Sequence, residues 1–167
     1  MKKIYFFFII FLFFFDISLS KANDKIAFID LNYILSESNE GKKILDKLEI
    51  DNNKNVNFFK SEETKLKQER ENINKLKNIL SQEEYNNKMN LFKTKVNNYN
   101  LKKSEMIKLF EDSKNSELNT FFSNLNKIMN NFMQENSINL ILDKKNIVMA
   151  NNKNDISDDI LKIINKK

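Results

Sequence analysis

The sequence predicts a mainly α-helical protein with a small β head, in which a long antiparallel helical hairpin is rooted in a body of short strands. Apolar residues recur in alternating steps of four and three from Tyr85 to Phe110, the period of a coiled-coil helix. The motif S-x-x-E at 81–84 starts a new helix, and β-type apolar runs occur only near the two ends, at 25–30 and 138–150. A helical hairpin would bring those two ends together.

The composition excludes most enzyme chemistry. The chain has 167 residues, with no Cys, no His, no Pro and a single Gly. It therefore lacks thiolates, the commonest general base and the commonest transition-metal ligand. One Gly also excludes Gly-rich phosphate-binding loops. We expect no catalytic residue, no metal site and no cofactor, and hence a protein that is not an enzyme.

The first 22 residues have the layout of a secretory signal peptide. Two lysines precede an apolar run at 4–15, which Asp16 ends, and small residues then permit cleavage after Ser20 or Ala22. The run is shorter than the ~20 apolar residues of a typical membrane-spanning helix. We expect an exported protein, and an uncleaved membrane anchor is the alternative.

Residues 23–39 are expected to form the first part of the β-rich body. The run "KIAFID" at 25–30 predicts a buried strand, and 31–35 predicts a short helical turn. Asn39 is a candidate N-cap for a helix whose first turn carries Glu40.

Residues 40–136 are expected to form the arm. Its first helix, at about 40–80, has a heptad seam that polar residues interrupt in the middle, which predicts an arm that splays and flexes. The seam positions are 45, 52, 59, 66, 73 and 80, with 48, 55, 62, 69 and 76 as partners, and the polar ones are Asn52, Asn55, Glu62 and Glu69.

The tip of the arm is expected near Ser81, where Ser81 and Glu84 form a capping box that opens the second helix at 82–136. The heptad seam of this second helix is more regular than the seam of the first helix. It slips near 113–116, as a stutter would do. Its outer part comprises Tyr85, Met89, Phe92, Val96, Tyr99, Lys103, Met106 and Phe110, and its aromatic base comprises Leu118, Phe121, Phe122, Leu125, Ile128, Met129, Phe132 and Met133.

Residues 137–167 are expected to complete the body with a β-hairpin and a C-terminal helix. The runs "INLIL" and "NIVMA" flank a turn at Asp143, and Asp155 is a candidate cap for the last helix. The hairpin can pair with the strand near Ile26. Because three strands of about five residues are barely enough for a stable sheet, we expect the body to associate with other copies.

These segments closely resemble the Skp/OmpH family of periplasmic chaperones. The resemblance covers the whole mature chain and is carried by "KIAFID", by "LSQEEY" at the tip and, most specifically, by the C-terminal segment. There a strand ends in Asp143, a second run follows at 147–150, and Asp155-Ile156-Ser157 opens the last helix.

The resemblance implies a jellyfish-like homotrimer, in which a β-rich body carries three coiled-coil arms around a cavity. It implies an ATP-independent holdase of the Gram-negative periplasm. Such a protein binds unfolded outer-membrane β-barrel proteins in the cavity and keeps them from aggregating before membrane assembly.

Two features of the arm are candidates for client contact. The first is a set of apolar side chains off the seam, which could instead complete the packing between the helices: Phe58, Leu91, Leu101, Ile107 and Leu109. The second is a basic tip, which could attract acidic client segments or anionic lipid head groups, or could simply be a solvated surface. It comprises Lys65, Lys67, Arg70, Lys75, Lys77, Lys88, Lys93 and Lys95, and residues 65–95 contain only four Glu.

A different class of function also fits the sequence. The chain could be a structural or tethering coiled-coil protein of the envelope, held by an uncleaved N-terminal segment. Nucleic-acid binding is disfavoured, because the net charge from residue 23 onward is only +3, from 25 Lys and Arg against 22 Asp and Glu.

Overall fold

The computed structural model describes residues 25–166, so the expected signal peptide at 1–22 lies outside the described residues. The described chain contains two strands, four α-helices and two short 3₁₀ turns. In chain order these are β1 (Ile26–Ile29), α1 (Leu31–Glu37), α2 (Asn39–Lys75), α3 (Gln82–Glu135), β2 (Leu140–Asp143), the turns Lys144–Asn146 and Asn152–Asn154, and α4 (Ser157–Asn165).

Strand β1 is held on both edges by the C-terminal part of the chain. On one edge it pairs in parallel with β2, from Ile26 opposite Leu140 to Ile29 opposite Asp143, which confirms the expected pairing of the two ends. On the other edge Phe28 forms a bridge with Asp155, and the Phe28 carbonyl accepts a 2.9 Å hydrogen bond from the Ile156 N–H. Strand β1 therefore has hydrogen-bonded neighbours on both sides.

The expected β-hairpin at 138–150 is wrong. After β2 the Asp143 carboxylate accepts a hydrogen bond from the Lys145 N–H and starts a 3₁₀ turn, which ends the strand. The run that follows contains no strand, and Val148 and Met149 are 103% and 91% exposed. Residues of high β-propensity form a strand where their side chains can pack on a half-buried pleated surface. The single chain provides no such surface next to 146–150, so this run does not form a strand.

The hydrophobic core lies where the base of the arm meets the body. Phe121 and Leu125 of α3 are fully buried, together with Ile29 of β1, Ile34 of α1 and Ile160 of α4. The last part of α3, from about Leu118 onward, thus packs into the body core at the base of the arm, as its aromatic seam predicts. Burial of one such side chain contributes about 1.5–3 kcal/mol.

The arm is an antiparallel pair formed by α2 and α3. The capping box is confirmed, because Ser81 accepts a hydrogen bond from the Glu84 N–H while the Glu84 carboxylate accepts one from the Ser81 N–H. Lys95 pairs with Glu69 near the tip and Lys47 pairs with Glu117 near the base. Helix α2 ends at Lys75, and turns at 76–80 complete the tip.

Two caps differ from the expectation. Ser38, not Asn39, is the N-cap of α2, and its fully buried hydroxyl accepts a 3.1 Å hydrogen bond from the Gly41 N–H. Asp155 lies one residue before the N-cap position of α4, which Ile156 occupies. Its carboxylate still accepts a 3.0 Å hydrogen bond from the Ser157 N–H.

The seam of α2 differs from the expected one in its base half. Leu45 and Asn52 are exposed there, and Ile44, Leu48 and Asp51 are the more buried positions. Docking of Ile44 into the body core sets the rotation of the helix, since the polar middle of the seam has little apolar surface to oppose it. In the tip half the expected positions 62, 66, 69, 73 and 76 are indeed the buried or half-buried ones.

Replacement of the only glycine by alanine tests the close contact between α1 and α2. A Cβ on Gly41 would lie 1.9 Å from the Leu35 carbonyl oxygen. Helix propensity alone would make Gly41→Ala stabilising by about 1 kcal/mol. We expect the clash to prevail and to lower the free energy of unfolding by about 2 kcal/mol, measured by urea denaturation. Asn57→Ala, at an exposed position of the same helix, should be neutral or slightly stabilising, and an unchanged or raised midpoint for Gly41→Ala would contradict the packing.

Candidate binding surface of the arm

The middle of the arm is held together by polar contacts. Half-buried positions of α2 include Asp51, Asn55 and Glu62, where a tight coiled coil would have apolar residues. Lys103 interrupts the seam of α3 in the same region. The arm is therefore less strongly packed in its middle than at its base, where the core residues lie.

Lys103 has a defined partner across the arm. Its ammonium group lies 2.8 Å from Glu63 Oε1, and the Tyr99 hydroxyl donates a 2.6 Å hydrogen bond to the same oxygen. Lys103, and then Tyr99, lower the pKa of Glu63, while Glu63 raises the pKa of Lys103. Both groups are solvent-exposed, so this contact orients the helices more than it stabilises them.

The five apolar candidates are not equivalent in the structure. Leu91, Leu101, Ile107 and Leu109 are 66%, 71%, 47% and 60% exposed. Phe58 differs from the other four, because it is half-buried, packs edge-to-face on Phe59 at 6.0 Å, and has the Lys102 ammonium 4.6 Å above its ring. Phe58 thus belongs to the packing between the helices as well as to the surface.

Three grooves lie along the arm, and they bring Phe58, Leu91 and Leu109 to one flank. The groove at the tip contains Leu91 and the next contains Phe58, and these two grooves share Lys65, Glu69 and Lys95. The third contains Leu109, which is 18 residues, or five helical turns, from Leu91 and so lies on the same face of α3. We call the residues that line these three grooves the grooved flank.

The other two candidates lie elsewhere on α3. Leu101 is two residues from both Tyr99 and Lys103, which face α2, so it points away from the partner helix. Ile107 is two residues before Leu109, about 200° around the helix axis, on the opposite flank.

The residues at the floor of the grooves were not predicted from the sequence. Leu66, Ile73 and Leu76 of α2 line the two outer grooves, together with Lys102. The three apolar residues follow the seam of α2, so the pattern indicates core packing and gives no sign that their outer edges remain accessible. The 18-residue spacing of Leu91 and Leu109 is the sequence signal that could have predicted that these two residues lie on one face of α3.

The basic tip keeps an excess of exposed positive charge. Lys65 pairs with Glu62 and Lys95 pairs with Glu69, each at 2.7 Å. Among the described residues, the other six cations of the tip form no ion pair within 4.0 Å: Lys67, Arg70, Lys75, Lys77, Lys88 and Lys93.

Two further properties hold for residues 25–166. No group of three or more acidic, His or Cys side chains is arranged to hold a metal ion in this part of the chain. None of its helices combines the length and the apolarity that a membrane crossing requires.

A helical-hairpin arm rooted in a small parallel sheet, with exposed apolar and basic side chains along the arm, defines a class of arm-bearing binding proteins. Residues 25–164 match the model of the OmpH-like outer membrane protein family, and the chain belongs to that family. No curated protein sequence matches it. The fold is similar to that of a protein from Caulobacter crescentus named as an OmpH-like outer membrane chaperone, with a TM-score of 0.74 and 19% identity over 87% of this chain and 86% of that chain.

An apolar residue in the polar middle of the arm should rigidify it. Asn55 is half-buried beside Met106 and Phe110. We expect Asn55→Leu to stabilise this region by about 1 kcal/mol and to slow its amide hydrogen exchange about fivefold. Asn57→Leu, at an exposed position, is the control and should leave exchange unchanged. Uniformly slow exchange along the whole arm of the unmodified protein would contradict a flexible middle.

Proposed function

We propose that the protein is an ATP-independent holdase chaperone of the periplasm, which binds unfolded outer-membrane proteins between its arms and prevents their aggregation. The observation that carries the proposal is the arm itself, which exposes separate apolar side chains among cations along most of its length. Membership of the OmpH-like family and the fold shared with a protein named as an outer membrane chaperone support a chaperone role in general.

The mechanism follows from many weak contacts. A half-exposed leucine such as Leu91 can bury only part of its surface against a client, which contributes about 1 kcal/mol or less. Several such contacts on neighbouring arms act together through a high effective concentration. Each contact breaks easily, so a client is held without nucleotide hydrolysis and can be released to a tighter binding partner.

We also propose that the body forms a homotrimer. In the described chain β2 pairs only with β1, and Ile26, Leu140 and Leu142 around this sheet are 44%, 45% and 39% exposed. The fully exposed Val148 and Met149 lie in the segment that follows. An open strand edge beside apolar side chains favours association with another copy.

The basic tip is proposed to extend the range of partners. The six tip cations that form no ion pair within residues 25–166 suit acidic client segments and the anionic head groups of a membrane surface. The location follows from the same proposal, because outer-membrane proteins cross the periplasm unfolded. Nucleic acid is not a proposed partner.

The holdase proposal is tested by light scattering of a urea-unfolded outer-membrane β-barrel protein diluted into buffer without nucleotide. We expect the purified mature chain to suppress the scattering at about three chains per client, as a trimeric cavity requires. An inert helical protein of similar charge is the control. Unchanged scattering would reject the proposal, and recovery of the chain in membranes with Met1 intact would then favour the tethering role.

The self-association proposal is tested by the mass of the particle in solution. We expect the parent protein to have three times the chain mass, and the double variant Leu140→Asp/Leu142→Asp to dissociate, because buried charges at an interface are strongly unfavourable. Leu101→Asp, on the outer face of the arm, is the matched control and should leave the mass unchanged. Measurement by sedimentation equilibrium, with helicity followed by circular dichroism, separates dissociation from unfolding; a monomeric parent would contradict the proposal.

A further inference from the structure

The grooved flank is long enough to hold an extended chain. The linings of the three grooves run on α3 from Lys88 to Ser113, which is about 38 Å at 1.5 Å per residue. A strand that crosses the outer membrane has about 9–11 residues, and at about 3.4 Å per residue it is about 31–37 Å long. The flank thus matches the length of one such strand.

The spacing of the exposed leucines fits the repeat of an extended chain. Leu91 and Leu109 are separated by 18 residues of helix, or about 27 Å. Eight residues of extended chain cover the same distance, and because eight is even, the side chains that meet the two leucines lie on the same face of the strand. A strand with alternating apolar and polar residues can therefore contact both leucines with its apolar face.

The charges at the rim favour acidic residues on the other face. The three grooves are lined by five lysines and three carboxylates, which leaves a net charge of +2. All three carboxylates are already paired with a lysine: Asp51 with Lys54, Glu62 with Lys65 and Glu69 with Lys95. Lys88 forms no ion pair in the described chain, and Lys102 lies over the Phe58 ring. Both remain available to an incoming carboxylate.

From these observations we propose that the grooved flank is the client-facing side of the arm, and that each arm takes up one extended segment of about ten residues in which apolar and acidic side chains alternate. The inference rests on the proposed holdase function and adds to it the side of the arm and the chemistry of the segment. The strands of membrane β-barrels alternate apolar residues, which meet lipid, with polar residues, which meet water, and a strand whose polar face is acidic has the proposed pattern.

Peptide binding to the full mature chain tests the chemistry of the segment. The probe is a fluorescent ten-residue peptide that alternates Val or Tyr with Asp, and anisotropy reports its binding. We expect it to bind at least about tenfold more tightly than a peptide of the same composition with apolar and acidic residues in separate blocks, and than one with Lys in place of Asp. Equal binding of all three would overturn the proposal.

Two pairs of variants test which side of the arm binds the extended segment. Leu91→Ser/Leu109→Ser removes two exposed leucines of the grooved flank, and Leu101→Ser/Ile107→Ser removes two exposed residues outside it. We expect about tenfold weaker binding for the first pair and no change for the second. Lys88→Glu should weaken binding severalfold, whereas Lys108→Glu, at an exposed position outside the grooves, should not. Circular dichroism checks that every variant remains helical.

The outcome separates this inference from the holdase proposal. Suppose that the parent protein suppresses client aggregation but the two double variants are equally active and bind the peptide equally. The assignment of the grooved flank as the client-facing side is then wrong, and the holdase function is still supported. Binding of anionic phosphatidylglycerol vesicles that displaces the peptide and is itself lost in the Leu91→Ser/Leu109→Ser variant, or a change of particle mass in that variant, would also overturn the proposed occupant. The flank would then bind lipid head groups or a second copy of the chain. If the parent itself suppresses no aggregation, the holdase proposal fails.

Discussion

The parallel pairing of β1 with β2 is the interaction on which the rest of the structure depends. Parallel strands cannot be joined by a tight turn and need a crossover connection. Here that connection is the entire arm, and the Lys25 ammonium donates a 3.1 Å hydrogen bond to the Asn136 carbonyl oxygen, 111 residues along the chain. The sheet closes only when α2 and α3 fold back on each other, so the tip at Ser81 and the body stabilise each other although they lie at opposite ends of the molecule.

The two ends of the arm are stabilised by different means. At the base, Phe121, Leu125 and Ile128 of α3 are buried among residues of both strands and of helices α1 and α4, and each burial contributes to the free energy of folding. In the middle, the contacts are the exposed Glu63–Lys103 pair and cations above Phe58 and Phe59, which contribute little in water. Local opening is therefore expected in the middle of the arm before the base, and this mobility would let arms fit clients of different size.

Local signals in the sequence predicted the features that depend on local interactions. The S-x-x-E motif identified the tip because its hydrogen bonds span three residues, and the regular seam of α3 identified the helix and its aromatic base. The positions of Leu91, Leu101, Ile107 and Leu109 off that seam left open whether they are exposed or packed, and the structure exposes them. The rotation of α2 was predicted incorrectly near Leu45, because contacts of Ile44 with distant residues of the body decide it. The grooves also could not be predicted from the sequence, since they depend on how the two arm helices pack side by side.

The incorrect β-hairpin and the proposed self-association have a common physical origin. The sequence at 146–150 has the composition of a strand, yet in the single chain Val148 and Met149 contact no core and Asp143 directs the backbone into a turn. Apolar side chains of this size are costly to leave in water, and most soluble chains bury them. The apolar composition of 146–150 therefore suits a half-buried strand, and one copy of the chain does not provide the surface that would bury it. An assembly through the body would supply that surface, while the arms, whose surfaces are mostly polar, would remain free to bind clients.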